Sequence, residues 1–267
     1  MSAKIGFIGA GRMAEAMIRG LIAEEVYSED EIIACAPSSF TRERISADLN
    51  IKMYETAAEI AKMTDIVVIA VKPKQVLELF EVEKLTFGSN HLVISIAAGI
   101  RISTLESHVP DARVVRVMPN HCCMILEGAS GFSGGNCATD DDMDLVERML
   151  SSMGMAIEVN EEELDAITGV SGSSPAFLYM LAEAMAEIGE KNGLPYDVGV
   201  DLAAQSMVGA GRMMLESGMT PQELIDNVCT PGDATIEGFK VLEEKGFGKA
   251  IQEAVEAVVK QSKKMGG

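Results

Sequence analysis

Gly9-Ala10-Gly11-Arg12-Met13-Ala14 is a G-x-G-x-x-A run that follows an apolar stretch at 4–8 and opens a helical pattern. In that context each residue type has a task. Gly9 permits a tight turn, Gly11 lets the backbone approach a pyrophosphate, Ala14 allows close helix–sheet packing, and the phosphates lie at a helix N-terminus. Dinucleotide binding is the chemistry this implies; the competing reading is a doubly wound fold with an empty turn. At the end of the second expected strand stands Cys35-Ala36-Pro37-Ser38-Ser39, with no carboxylate to hold a ribose 2′-hydroxyl. Ser38, Ser39, Thr41 and Arg42 can instead donate to a 2′-phosphate, which favours NADPH and leaves NADH open. The bland alternative is that Ser38 or Ser39 only caps the next helix and Arg42 is solvated.

These residues need a scaffold. Residues 1–159 alternate short β-branched runs with helical patterns, the rhythm of a parallel sheet with crossover helices. Strands are expected near 4–8, 31–35, 65–71, 91–96, 113–117 and 156–159. Runs such as IVVIAV and LVISIA are apolar throughout, as in a sheet covered by helices on both faces. From about Glu161 the chain becomes rich in Ala, Met, Leu and Glu without a convincing strand. Phe177, Leu181, Met185 and Ile188 recur at helical spacing and predict one buried face. A helix is expected over 198–217. Thr220, Pro221 and Glu223 then give a capped helix start, and Cys229-Thr230-Pro231-Gly232 a break before a helix from about Asp233. The expected fold class is α/β: an N-terminal Rossmann-type, mostly parallel sheet with helices on both faces, followed by an all-α C-terminal domain. The expected domains are 1–160 for the dinucleotide and 161–267 for substrate binding and dimerisation.

The chain has 267 residues, 41 acidic against 22 basic, for a formal charge of −19. That balance argues against nucleic-acid and anionic-membrane partners, which require clustered Lys and Arg. The apolar run at 5–10 is too short for a leader and the run at 66–71 too short for a membrane span, so a soluble, cytoplasmic protein is expected. Five cysteines, Cys35, Cys122, Cys123, Cys137 and Cys229, show no C-x-x-C or Cys/His metal spacing. Free thiols and no metal are expected. The Met residues read as core filling.

Six segments together resemble the pyrroline-5-carboxylate reductase family: GFIGAGRMAEAM (6–17), AVKP (70–73), SIAAGI (95–100), RVMPN (116–120), TGVSGSSPAF (168–177) and DNVCTPGDATIEG (226–238). They run in order over nearly the whole chain, and the last two lie in the helical half. The resemblance implies reduction of 1-pyrroline-5-carboxylate to L-proline by NADPH or NADH, with hydride passing to the imine carbon C5. It implies that Ile8, Gly9, Ala10, Gly11, Arg12 and Met13 hold the pyrophosphate, with Ser38 near the 2′-phosphate. Ala70, Val71, Lys72 and Pro73 would border the riboses, Ile96, Ala97 and Ala98 the nicotinamide, and Asn227 would reach the cofactor from the helical half. Thr230, Gly232, Asp233, Ala234 and Thr235 would bind substrate, the helix-start N–H groups taking its carboxylate and Thr235 serving the ring nitrogen as the catalytic residue. Ser171 would add a polar edge, with Ser173 and Ser174 beside it; helix capping is the equal alternative. The family also implies a homodimer through C-terminal helices, assembled in some members into larger rings, here up to a decamer.

Three positions depart from the family pattern. His121-Cys122 replaces Thr-Pro after RxMPN, Asp233 replaces the second Gly of a PGG turn, and Ala57 replaces an Asn that assists the 2′-phosphate. His121 is a tempting proton donor, although it matches a non-ionisable family position and reads more simply as structural. Two other readings stand beside the reductase. A β-hydroxyacid-type dehydrogenase would need a catalytic Lys that 169–185 lacks; a non-catalytic dinucleotide-binding regulator would fit His121 and Asp233.

Overall fold

The structure is a computed structural model that describes residues 4–230 and 232–266, so Pro231 of the expected substrate loop lies outside the described residues. They form two compact units, one of residues 4–173 with 257–266 and one of residues 174–256.

Among the described residues the first unit carries one sheet of eight strands: β1 (Ile5–Ile8), β2 (Ile32–Cys35), β3 (Lys52–Tyr54), β4 (Ile66–Ile69), β5 (Leu92–Ser95), β6 (Arg113–Met118), β7 (Gly128–Gly134) and β8 (Gly154–Glu158). Their order is β3-β2-β1-β4-β5-β6-β7-β8, and every neighbouring pair is parallel except β6 with β7. The first six strands follow the 3-2-1-4-5-6 order of dinucleotide folds, in which the crevice opens at the carboxyl ends beside β1 and β4. Helices α1 (Arg12–Ala23), α2 (Ser39–Leu49), α3 (Ala57–Met63), α4 (Pro73–Glu81), α5 (Ile102–His108) and α6 (Asp140–Ser151) link the strands. Two apolar clusters cover opposite faces. Ile5, Phe7 and Val68 belong to one with Met17 and Leu21, whereas Ile8, Val67 and Ile69 belong to the other with Val76 and Leu105. Alternate residues of one strand thus enter different cores, which is why the strand runs are apolar throughout.

Two strands escape the sequence reading. β3 is only three residues long, and none of its positions is fully buried. β7 is Gly-Ala-Ser-Gly-Phe-Ser-Gly, without a β-branched residue. Its glycines answer to close packing: a Cβ on Gly131 would lie 2.2 Å from Ile167 Cδ1. Ile167 ends the short helix α7 (Leu164–Ile167), which continues through a π-helical turn, Thr168–Gly172.

The second unit is helical: α8 (Ser174–Lys191), α9 (Tyr196–Glu216), α10 (Pro221–Val228), α11 (Ala234–Glu244) and the first part of α12 (Phe247–Met265), whose last residues belong to the first unit. Small residues set the α8–α9 approach, since a Cβ on Gly199 would stand 2.9 Å from Ala186 Cα. The expected buried face of α8 is a correction: Met185 is 46% and Ile188 57% exposed. The helix buries Ala186 against α9 instead, and Phe177 and Leu181 are only half-buried. The α10 start forms as its residues predict, with Thr220 Oγ1 accepting from Glu223 N–H at 3.3 Å and the Glu223 carboxylate accepting from Thr220 N–H at 2.8 Å.

Candidate functional site

Because β1, β2, β4, β5 and β6 are mutually parallel, their carboxyl ends share one edge of the sheet. Gly9 to Met13 leave β1 there, Ser38 stands three residues beyond β2, Ala70 to Pro73 follow β4, and Ile96, Ala97 and Ala98 follow β5. The fold therefore gathers the expected cofactor residues of the first unit along one edge.

Gly9 has φ +101°, and a Cβ there would lie 2.9 Å from Ala70 O, so the turn requires glycine both conformationally and sterically. It is pinned on both sides: Gly9 N–H donates to Cys35 O at 3.2 Å, and Ala70 N–H donates to Ile8 O at 2.9 Å. Gly11 differs, because a Cβ there would meet nothing within 4 Å. Protein packing gives no reason for that glycine; open space before a helix start does. The helical ladder of α1 begins with Glu15 N–H donating to Gly11 O at 2.9 Å, which leaves the N–H groups of Arg12, Met13 and Ala14 ahead of it. This cradle fits a pyrophosphate.

A carboxylate in the first turn would oppose an anion, and Glu15 is one. It accepts from Arg19 and Arg44 at 3.0 Å each. Burial pushes its pKa upward, yet the hydrogen bonds and charges of Arg44 and Arg19 outweigh that and hold it below the ordinary value. Glu15 therefore stays ionised with its charge turned toward two guanidinium groups. Burial also pushes the Cys35 thiol up to about 11, leaving it unreactive at neutral pH.

Beyond β2, Ser38 caps α2, its Oγ accepting from Thr41 N–H at 3.4 Å. Arg42 is not merely solvated: its guanidinium donates to Ala36 O at 2.7 Å and Pro37 O at 2.8 Å, and lies 3.8 Å from Glu55. The turn after β2 thus holds a fixed cation. Beyond β4, Lys72 N–H donates to Gln75 Oε1 at 3.2 Å and Pro73 opens α4, a pre-organised helix start.

Past β6, Asn120 is buried; its Nδ2 donates to Ser171 O at 3.2 Å and its Oδ1 accepts from Ala129 N–H at 3.2 Å. The Ser171 hydroxyl donates to Ala129 O at 3.3 Å and Ile167 O at 3.2 Å, tying the π-helical turn to β7. His121 is exposed and opens a five-residue 3₁₀ helix, His121–Ile125. Arg116 belongs to none of the expected site residues. It is 2% exposed on β6 and donates to Glu161 Oε1 at 2.9 Å, the atom that also accepts from Ile102 N–H at 2.7 Å. An arginine inside an otherwise apolar strand was the available signal, since a buried cation must have a partner.

The second unit holds the other expected residues. Gly232 has φ +88°, Asp233 N–H donates to Thr230 O at 3.1 Å, and Asp233 Oδ1 accepts from Thr235 N–H at 3.4 Å. Asp233 thus caps α11 with its own carboxylate, using one of the donors expected to serve a bound anion. Ala234 is the first residue of α11, and the loop is exposed in this chain. Thr235 and Asn227 border the same groove of about 510 Å³, whose other walls include Met213, Met214, Leu224 and Phe239.

Among the described residues no cluster of His, Cys, Asp and Glu could hold a metal ion, and no helix is long and apolar enough to cross a membrane.

A family model described as pyrroline-5-carboxylate reductase dimerisation matches residues 161–265, and one described as NADP oxidoreductase, coenzyme F420-dependent, matches residues 4–99. The chain is 39% identical over 264 residues to the pyrroline-5-carboxylate reductase of Methanosarcina acetivorans, covering 98% of each. The solved structure of a pyrroline-5-carboxylate reductase from Coxiella burnetii superposes with a TM-score of 0.89 at 30% identity, covering 100% of both chains. That of the Plasmodium falciparum pyrroline carboxylate reductase, solved with NADP bound, superposes at 0.87 and 30% identity, covering 99% of this chain and 98% of that one. Likeness over both units, together with a glycine cradle at the sheet edge and a capped helix start bordering a groove in the helical unit, identifies this chain as a member of the pyrroline-5-carboxylate reductase family.

Proposed function

We propose that the protein reduces 1-pyrroline-5-carboxylate to L-proline with NADPH. The observation that carries this reading is the open cradle at Gly11, set at the carboxyl edge of a sheet whose whole chain is 39% identical to a named reductase. When bound, NADPH supplies the hydride that forms the new C5–H bond. The chain's residues then have alignment and electrostatics to provide. Gly9 to Met13 present backbone donors to the pyrophosphate, and Ser38 and Arg42 supply the neutral and cationic donors for a 2′-phosphate. Ala70, Val71, Lys72 and Pro73 border the riboses, and Ile96, Ala97 and Ala98 line the nicotinamide. In the helical unit Asn227 reaches the cofactor, and Thr230, Gly232, Asp233, Ala234 and Thr235 receive the substrate; Ser171 adds a polar edge. As hydride adds to C5, the electron pair of the C=N bond moves onto nitrogen, which neutralises the iminium form directly and calls for a proton from water in the imine form. The Thr235 hydroxyl orients that atom, while the proton comes from the iminium form of the substrate or from water.

A functional division at 160/161 would give 1–160 to the cofactor and 161–267 to substrate binding and dimerisation, Asn227 excepted. The apolar residues left open on α8 and α9, among them Leu178, Met185, Ile188 and Leu202, support a homodimer through the helical unit, with a decamer as the larger assembly to test by solution mass. The five cysteines are free, in keeping with a reducing compartment such as the cytoplasm.

The deciding experiment mixes purified protein with NADPH and pyrroline-5-carboxylate and follows nicotinamide absorbance. Loss of absorbance with formation of proline is expected. No loss with NADPH or with NADH overturns the proposal.

A further inference from the structure

Next to the cofactor edge, a single buried carboxylate joins two segments far apart in sequence. Asp165 is 1% exposed; it accepts from Arg101 Nη2 at 2.8 Å and from Ser262 Oγ at 2.6 Å. Arg101 ends the segment that leaves β5 through Ile96, Ala97 and Ala98, and Ser262 lies in the last turn of α12. All belong to the first unit. The same two segments also touch directly. Gly99 has φ +76°, and a Cβ on it would stand 2.7 Å from Met265 Cβ; a Cβ on Gly266 would stand 2.7 Å from Arg101 Nε. The far end of the loop is fixed separately, where Glu161, held by Arg116, accepts from Ile102 N–H at 2.7 Å.

We infer that the C-terminal turn, through Ser262 and Met265, is a positioning strap for the loop 96–101, and that Asp165 is the buried post to which both are tied. The inference rests on the reading of this chain as an NADPH-dependent reductase, in which that loop lines the nicotinamide. In a doubly wound fold the β1–β3 half serves one mononucleotide and the β4–β6 half the other. The strap acts on the second half only. A carboxylate taken out of water must be met by charge and hydrogen bonds, so Asp165 fixes Arg101 and Ser262 together rather than leaving either free to swing. Hydride transfer is sensitive to displacement of a fraction of an ångström, whereas binding of the adenosine half is not coupled to this loop.

Three variants test this: Ser262→Ala, a chain ending at Gln261, and Asp165→Asn. Each is measured for single-turnover NADPH oxidation and for affinity for 2′,5′-ADP, which reports the adenosine half alone. The expected result is a fall in hydride transfer of roughly tenfold, the scale of a lost hydrogen bond to a buried charge, with 2′,5′-ADP affinity held within about twofold. Ser262→Thr, which keeps a hydroxyl, should recover most of the rate. Unchanged transfer in both Ser262→Ala and the shortened chain overturns the strap, as does an equal loss of 2′,5′-ADP affinity and transfer, which marks general loosening. If the unaltered protein binds no NADPH, the reductase reading itself fails and the strap has nothing to position.

Discussion

Asp233 places a formal negative charge at the helix start where the anionic substrate is expected, and the cost can be worked out. The Asp233 carboxylate accepts from Thr235 N–H at 3.4 Å, so a substrate carboxylate drawn to the neighbouring donors of α11 lies about 5 Å from it. Asp233 is exposed, and at the dielectric constant of water two unit charges at that separation repel by about 0.8 kcal/mol. Removing the charge should therefore lower the KM for pyrroline-5-carboxylate about fourfold, provided substrate binding is at equilibrium. Asp233→Asn is the informative change, because Asn caps a helix about as well as Asp and isolates charge from capping. Asp233→Gly should lower KM by a similar factor and cost only a few tenths of a kcal/mol in stability. The assay is the initial rate of NADPH oxidation at about 20 mM and about 1 M salt; the advantage of Asp233→Asn should shrink at high salt as the Debye length falls to about 3 Å. An unchanged or higher KM for Asp233→Asn at low salt would refute the placement of the substrate carboxylate at α11.

Three other outcomes follow from the cofactor edge and its surroundings. Gly9→Ala forces a side chain into φ +101° with its Cβ 2.9 Å from Ala70 O, so it should cost about 1–3 kcal/mol in urea unfolding and abolish NADPH binding by fluorescence titration. Arg42→Ala should reduce the ratio of kcat/KM for NADPH over NADH about tenfold, since the guanidinium fixed on Ala36 O and Pro37 O is the cation available to a 2′-phosphate; an unchanged ratio places that recognition elsewhere. Hydrogen bonds from Lys4 and then Ser28 N–H hold the Glu31 carboxyl down at about 2. A depressed carboxyl contributes stability above its unfolded pKa and loses it as pH falls through the folded value, so the Glu31 contribution should fade between pH 4.5 and about 2. Glu31→Gln should flatten the stability curve over that window, as read by thermal melts; a curve parallel to the unaltered protein contradicts the pairing.

The sheet was legible where burial on both faces forced apolar runs and illegible where packing asked for something else. β1, β4 and β5 carry Ile, Val and Leu because alternate positions enter different cores. β7 carries glycines because neighbours crowd it, α7 at Gly131, Cys123 at Gly128 and Met143 at Gly134, and glycine erases the very signal by which a strand is recognised. The cofactor edge was legible for a related reason: Gly9 and Gly11 are demanded by backbone geometry and by space, which act on the residue itself. Arg116, Asp165 and Asn120 were not, because their roles depend on partners 45, 97 and 51 residues away respectively: Glu161, Ser262 and Ser171. The face of α8 misled for the opposite reason. Helical spacing marks which residues are apolar together, but not whether their own chain or another surface covers them.

The net charge of −19 also acquires a mechanism. A surface so acidic repels a phosphorylated dinucleotide and a small carboxylate at long range, and salt confines that repulsion to about 8 to 10 Å. Attraction must then be built within a few ångströms of each ligand. At the sheet edge it is: N–H groups precede the helical ladder of α1, and the one carboxylate in its first turn is answered by Arg19 and Arg44. At α11 it is opposed by Asp233. The two proposed anion sites are therefore not equivalent, and weak binding of the substrate carboxylate, rather than of the cofactor, is where this chain's acidity should be felt.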